Sequence, residues 1–459
     1  MSNGTLPSYV SMAKPNPAAN RAPWYKNTAP TYAGIFLWFV FWSQAPTGGA
    51  PTIAGGVLSQ GIGVALLGIV IAALLCHFLF YLVPGLLGLK TGLPLYVVGT
   101  STYGAQGGFL MPGFLMGVLQ FGWLGVNAYF ASLALAPLFG GSAAAQQVLA
   151  VVWAALAAFV GLKGIQYVAK VATFLPLIPL AILVILLAKT VGGIGSFDPQ
   201  KLVAATGGQG SGLSFLGVMA LSMSFVIGFF ATAGAAGVDF GTNSKDEKDV
   251  QMGGLVGIAL ATIVSAGAAI LIAAGAFGAT GKPAMNPADA GIMGSIMGSE
   301  GAGKTMGLLL AVAAFPPACF SSFIAANSFK TTLPTVNPFI SVGIGTVVSI
   351  ILAVTGWAGR AGAVFTVIGA SFGPICGAMM VDYVLSGQKW AGPRRGWNLA
   401  GWISWAVGFV VGIAPLIELA NVPAAPLMAF IVGAVLYFVL AKAGLEPPVV
   451  AMPGASAKP

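Results

Sequence analysis

Charged residues are scarce in this 459-residue sequence: only 6% are Asp, Glu, Lys or Arg, while 58% are hydrophobic. Soluble domains carry about a quarter charged residues, so a water-solvated globule is excluded. One histidine and three cysteines (Cys76, Cys319, Cys376) are too few and too scattered for a metal-chelating cluster. Each cysteine falls inside an apolar run, which argues against disulfides. No phosphate-binding P-loop or hydrolase nucleophile elbow can be picked out, so enzymes and primary pumps lack support and no cofactor is expected. The net charge of +9 is spread over short loops rather than gathered on one face, which argues against nucleic acid as a partner. The N-terminus is polar and Pro-rich as far as Trp24, without the basic, apolar, small-residue order of a cleaved signal. The first apolar run is therefore expected to stay.

What is abundant is apolar sequence in long runs. They fall at about 31–56, 60–83, 107–138, 145–161, 168–190, 213–238, 251–278, 302–329, 338–357, 362–386, 399–420 and 424–442. Most can cross about 30 Å of hydrocarbon at 1.5 Å per helical residue. The reading is an all-α integral membrane protein of twelve transmembrane helices, with the lipid bilayer as its solvent. The 66 glycines and 29 prolines fit a packed bundle, in which Gly permits close helix contact and Pro makes breaks. Fourteen of the 19 Lys and Arg residues fall in one alternating set of loops, including Lys14, Arg21, Lys90, Lys163, Lys245, Arg394 and Lys442. The positive-inside rule then puts both termini in the cytoplasm of a bacterial-type inner membrane.

Two spans are poorly suited to continuous helix. The first reads Gln44-Ala45-Pro46-Thr47-Gly48-Gly49-Ala50-Pro51, the sixth Thr232-Ala233-Gly234-Ala235-Ala236-Gly237. Pro removes a backbone donor, and each Gly carries about 1 kcal/mol of helix penalty. Interrupted helices at matching places in two halves point to an inverted-repeat transporter with a site near the midplane. The alternative is that these small residues only let helices pack. On the transporter reading, 1–30 is a cytoplasmic tail and 31–190 the first five-helix repeat. Residues 213–386 form the inverted second repeat, 399–442 two additional helices, and 443–459 a C-terminal cytoplasmic tail.

Polar side chains inside hydrocarbon are costly and face a cavity or a neighbouring helix. In span three, Trp123 and Asn127 are four residues apart and share a helix face, an indole beside a carboxamide. Gln44 and Asn327 add carboxamides that offer donor and acceptor together, matching the mixed edges of nucleobases. Interhelical bonding is the alternative use for each of these amides. In span eight, Ala318, Ser321 and Ser322 share a face where two hydroxyls and a carbonyl meet, oxygens that suit sodium. The alternative is hydroxyls bonded back to the preceding turn. His77 invites a proton relay but has no acidic neighbour in sequence. Asp239 and Asp382 lie at span ends, where a gate or structural role outweighs cargo contact.

Several separate stretches agree in order and spacing with the nucleobase:cation symporter-1 family, the purine and cytosine permeases, which the chain resembles over nearly its whole length. They are Asn27-Thr28-Ala29-Pro30, Gly122-Trp123-Leu124-Gly125-Val126-Asn127, Ser321-Ser322 with Asn327, Pro374 and Gly377 followed by Asp382-Tyr383, and Asn398 with Trp402. The resemblance implies the leucine-transporter-type 5+5 inverted repeat. Spans 1, 2, 6 and 7 would rock against a scaffold of 3, 4, 8 and 9, with spans 5 and 10 as thin gates. It further implies that Trp123 and Phe230 sandwich the cargo while Gln44, Asn127 and Asn327 read its edge. The cation site would fall on carbonyls near Val40 and Ser43, the Ala318 carbonyl, and the Ser321 and Ser322 hydroxyls. Two departures stand out: Phe230 occupies a place where hydantoin-type members have Trp, and Phe240-Gly241-Thr242 follows Asp239 without the common Arg.

The expected function is secondary active import of a small planar heterocycle, cytosine or purine type favoured, coupled to sodium or alternatively to protons, by a monomer. A hydantoin, allantoin, vitamin precursor or amino acid is the rival cargo on the same fold. A channel would need a continuous polar lining, whereas the polar residues are clustered.

Overall fold

Small residues at the helix contacts decide how the spans pack. The computed structural model describes residues 6–28, 41–43, 46–48, 53–163, 177–207, 212–284, 289–333 and 335–452. Among them the chain is helical, with only the isolated bridges Ala22 to Ser244 and Arg394 to Val449. Nine described helices are long and apolar enough to cross a bilayer: Ile62–Thr91, Phe109–Phe139, Ala143–Lys163, Leu177–Ser196, Phe215–Ala235, Glu247–Thr280, Glu300–Thr332, Ala361–Leu385 and Ala425–Lys442. Pro338–Val354 and Leu399–Ile413 are shorter apolar helices. These eleven fall on spans two to twelve of the sequence reading, and most of span one lies outside the described residues. Span eleven is shorter than its apolar run because the helix stops two residues before Pro415.

Spans three, four, eight and nine pack against one another. Span four lays Ala150, Ala154, Ala157 and Ala158 against Leu124 and Ala128 of span three and Ala318 and Cys319 of span eight. Gly161 is needed at this seam, since a Cβ there would run into the Cys319 carbonyl. On its other side span four exposes Val148, Val152, Leu156 and Phe159. Their three- and four-residue spacing makes one apolar stripe, the face suited to lipid. Spans two, six and seven form a second group, which spans ten and twelve cover. Spans two and seven meet through two π-helical turns, Cys76–Tyr81 and Leu255–Leu260.

The two expected interruptions differ. In span one, Phe41–Ser43 is helical, Pro46 and Thr47 form a turn and Gly48 is left-handed at φ 64°, so the described residues there are not continuous helix. In span six the helix ends at Ala235 and restarts as Gly237–Thr242, but Ala236 keeps right-handed angles (φ −62°, ψ −11°). The break is a tightening near one end of the span rather than an unwound middle.

Short helices absent from the apolar pattern connect the spans. Pro199–Ala205 is capped by Asp198, which accepts the Gln200 and Lys201 N–H groups, with Pro at the first helical position. Ala290–Met297 is capped in the same way by Asp289. On the face that carries the described N-terminal and C-terminal segments, residues 6–28 lie across the ends of spans two, six and seven. Tyr9 Oη donates to the Ala105 carbonyl at 2.5 Å, Asn16 Nδ2 to the Thr242 carbonyl at 3.0 Å, and the Trp24 N–H to Asp249 Oδ1 at 3.0 Å.

That face also carries a buried ion network. Arg394 donates to Asp382 Oδ1 at 2.8 Å and pairs with Glu446 at 2.9 Å, while Asp382 accepts the Ser101 and Thr102 hydroxyls. Tyr437 Oη donates to Glu446 at 2.7 Å, and Asn398 Nδ2 to the Thr102 carbonyl at 2.9 Å. Burial alone would lower the Arg394 pKa, but the two carboxylates outweigh it and hold the guanidinium above its ordinary value. The network joins the segment before span three to span ten, span twelve and the C-terminal segment.

Candidate functional site

Trp123 stands half-buried in the middle of span three. Phe229 of span six approaches it edge-on, with centroids 4.7 Å apart and planes at 77°. Phe365 of span ten lies 5.2 Å away at 37°, and the two phenyl rings are 5.5 Å apart. Glycines make this meeting possible. A Cβ at Gly122 would stand 3.2 Å from Val364, and one at Gly228 would stand 2.7 Å from the Phe365 carbonyl. A Gly-aromatic pair therefore seats span ten on span three (Gly122-Trp123) and again on span six (Gly228-Phe229).

Phe230, the ring expected from the sequence, is fully buried, and its centroid lies 5.1 Å from Phe229 on the side of the core. The ring that meets Trp123 is its neighbour Phe229, which is only partly buried. The two rings are in direct contact, with no room for a third ring between them. A flat cargo between two aromatic faces needs them roughly 7 Å apart, twice the carbon contact distance, so Phe229 must move to admit one.

The amides are used differently. Asn127 Nδ2 donates to the Ala314 carbonyl of span eight at 2.9 Å, and its Oδ1 accepts Trp153 Nε1–H of span four at 2.9 Å. Its side chain thus has interhelical partners. Asn327 is exposed. By helical spacing it lies half a turn away from the face of Ala318, which packs against spans three and four. Gln44 and Val40 lie outside the described residues.

The span-eight oxygens also divide. Ser321 Oγ donates back to the Pro317 carbonyl at 3.2 Å, the alternative weighed for it from sequence. Ser322 Oγ is buried and has no hydrogen-bond partner among the described residues, although a hydroxyl in that setting calls for one. Ala318 is fully buried beside it, and Ser43 is buried in span one. Two prolines inside the helix, Pro316 and Pro317, supply no N–H to the carbonyls of Val312 and Ala313.

The remaining polar candidates lie elsewhere. His77 is buried in the π turn of span two, its Nδ1 unpaired among the described residues and close against the backbone of Gly254. Asp239 accepts the Leu95 N–H at 3.0 Å, and Asp382 belongs to the ion network. Sequence reasoning missed Phe229, Phe365 and Trp153. The repeat of a Gly-aromatic pair at 122–123 and 228–229 was a usable signal for Phe229. Nothing in sequence singles out Trp153 as the partner of Asn127.

A family model described as a permease for cytosine/purines, uracil, thiamine and allantoin matches residues 25–456. No curated protein matches the chain. Among solved structures, the chain is similar to Mhp1 in an inward-facing conformation, with TM-score 0.73 at 16% identity over 97% of this chain and 96% of the other. It is also similar to Mhp1, a nucleobase-cation-symport-1 family transporter, in a closed conformation with bromovinylhydantoin bound. There the TM-score is 0.66 at 18% identity, over 95% of each chain. A Na+-coupled sialic acid symporter in a substrate-bound outward-open state gives TM-score 0.58 at 14% identity, over 95% of this chain and 92% of that one. At these identities the likeness is one of fold.

Proposed function

The chain belongs to the nucleobase:cation symporter-1 family, the permeases for cytosine/purines, uracil, thiamine and allantoin, and from that membership we propose that it imports a nucleobase or a related flat heterocycle by cation-coupled alternating access. Cytosine or a purine is the favoured cargo. The observation that carries the reading is the aromatic cluster of Trp123, Phe229 and Phe365, contributed by three different spans and held in contact by glycines. An indole beside a partly buried phenyl ring is a stacking platform, and every nucleobase has a π face to offer it. Asn327 and Gln44 read the cargo's polar edge. Phe365 closes the cluster from span ten, so cargo entry and the position of that span are linked.

The coupling ion is sodium, with the proton as the alternative. Sodium is held by the carbonyls near Val40, Ser43 and Ala318 and by the hydroxyls of Ser321 and Ser322. The buried Ser322 hydroxyl, which has no partner among the described residues, favours this reading, because a cation would occupy its oxygen. The two five-helix repeats, twelve spans in all, cross the inner membrane as a monomer with both termini in the cytoplasm. A hydantoin or allantoin is the rival cargo and would use the same platform.

Thermal unfolding of the purified protein against cytosine, uracil, adenine, hypoxanthine, allantoin and a hydantoin, each with and without sodium, tests cargo and ion together through ligand linkage. Stabilisation by a base, enhanced by sodium in a potassium-balanced series, is expected. No response to any base overturns the cargo, and a base response indifferent to sodium turns the coupling reading to protons.

A further inference from the structure

Asn127 sits where three helices of the scaffold meet. Its amide joins span three to the Ala314 carbonyl of span eight and to the indole N–H of Trp153 in span four, both at 2.9 Å. Around it the three helices meet through Leu124, Ala128, Ala154 and Cys319, which interlock by shape alone. A carboxamide in such surroundings must find partners, and once paired it fixes the rotation and height of each helix it touches. Trp153 is itself held edge-on by Phe315 at 5.1 Å, beside the Ala314 carbonyl.

The position of this junction gives it a second consequence. Trp123 lies one turn before Asn127 on the same face of span three, and Ala318 lies one turn beyond Ala314 in span eight. The junction therefore connects the stacking platform with the helix face that carries Ala318, Ser321 and Ser322. We propose that Asn127 is a positioning residue: through Trp153 and Ala314 it fixes the placement of the Trp123 platform relative to the span-eight oxygen face, and so couples cargo binding to cation binding. The cargo's polar edge is then left to Asn327 and Gln44. This inference rests on the site reading above.

The test compares Asn127→Leu, Trp153→Phe and the double variant of the full-length protein. Readouts are the affinities for cytosine, uracil and adenine, the sodium dependence of each, and the sodium-induced thermal shift without cargo. Trp153→Phe keeps an aromatic ring against Phe315 while removing the indole donor and part of the ring, a smaller change than Asn127→Leu at the junction, so it remains informative if Asn127→Leu folds poorly. Each single change is expected to weaken binding about tenfold, alike for bases with different edges, and to reduce the sodium effect. The double variant should be no worse than the singles, because one junction is being broken. If Asn127→Leu discriminates among the bases while Trp153→Phe is silent, Asn127 reads cargo directly and the proposal is overturned. It is also overturned if both variants melt earlier but keep wild-type affinities and sodium dependence, since the junction is then only structural. Failure of the wild type to bind any base refutes the cargo reading, while the sodium-induced shift still decides the junction. A wild type indifferent to sodium overturns the coupling role.

Discussion

Replacing Phe229 and its neighbour Phe230 in parallel separates the ring proposed to meet cargo from a ring that holds the core. Phe229 is partly exposed and stands 4.7 Å from Trp123, so Phe229→Ala removes one wall of the slot without hollowing the interior. Stacking of a base on an aromatic side chain is worth about 1–3 kcal/mol, roughly 5- to 150-fold in Kd. Part of this is offset in the wild type, because cargo must first separate Phe229 from Trp123, an edge contact worth about 0.5–1.5 kcal/mol. The expected loss for Phe229→Ala therefore lies in the lower half of that range, and Phe229→Leu, which keeps apolar bulk, should lose nearly as much. Phe230 is 1% exposed. Truncating a ring buried to that degree costs about 3–5 kcal/mol of stability, so Phe230→Ala should melt well below wild type while the surviving folded protein retains most of its affinity. Equilibrium binding of radiolabelled cytosine, paired with thermal unfolding of the same preparations, measures both quantities. The reasoning is refuted if Phe229→Ala binds as the wild type does while Phe230→Ala loses binding at unchanged stability.

The other outcomes follow from the same geometry. Asn327→Leu leaves a polar edge of the cargo unpaired and should cost about 1–3 kcal/mol of affinity, more for bases that present a mixed donor–acceptor edge; equal loss across bases in a binding assay would reduce Asn327 to a shape effect. Replacing Ser321 and Ser322 together by Ala should preserve cargo binding but abolish its sodium dependence, with each single change giving part of the effect, because the bond from Ser321 to the Pro317 carbonyl uses its hydrogen and leaves its oxygen lone pairs free; an unchanged sodium titration of the double variant removes these hydroxyls from the ion site. Arg394→Leu strands the buried Asp382 carboxylate and should destabilise by about 3–5 kcal/mol, whereas Glu446→Gln should cost less because that carboxylate is more exposed; equal melting temperatures for the two variants would contradict this account of the network.

The sequence by itself determined the solvent, the positions of the spans and the presence of an indole in the middle of span three. Hydrocarbon demands long apolar runs whose backbone polar groups pair internally, and this requirement is written residue by residue, so the described helices fall on spans two to twelve. Trp123 was legible as a candidate because it shares a helix face with Asn127 in the middle of an apolar span. The short helices at Pro199–Ala205 and Ala290–Met297 were lost only because a search for apolar length passes over them, although Asp198-Pro199 is a local helix-start signal. Tertiary structure alone decided which of two adjacent phenylalanines meets Trp123. Neighbouring helical residues point about 100° apart, and the rotation of span six is set by Gly228 against the Phe365 carbonyl, a contact with a residue far along the chain. It also decided the partners of Asn127 and the difference between Ser321 and Ser322. A carboxamide or hydroxyl in hydrocarbon must be satisfied, but the sequence does not say by whom. For Asn127 the partners come from spans four and eight, for Ser321 from its own preceding turn, and Ser322 has none among the described residues. Composition and periodicity describe how each helix meets its solvent, whereas the chemistry of the site depends on which helices stand side by side.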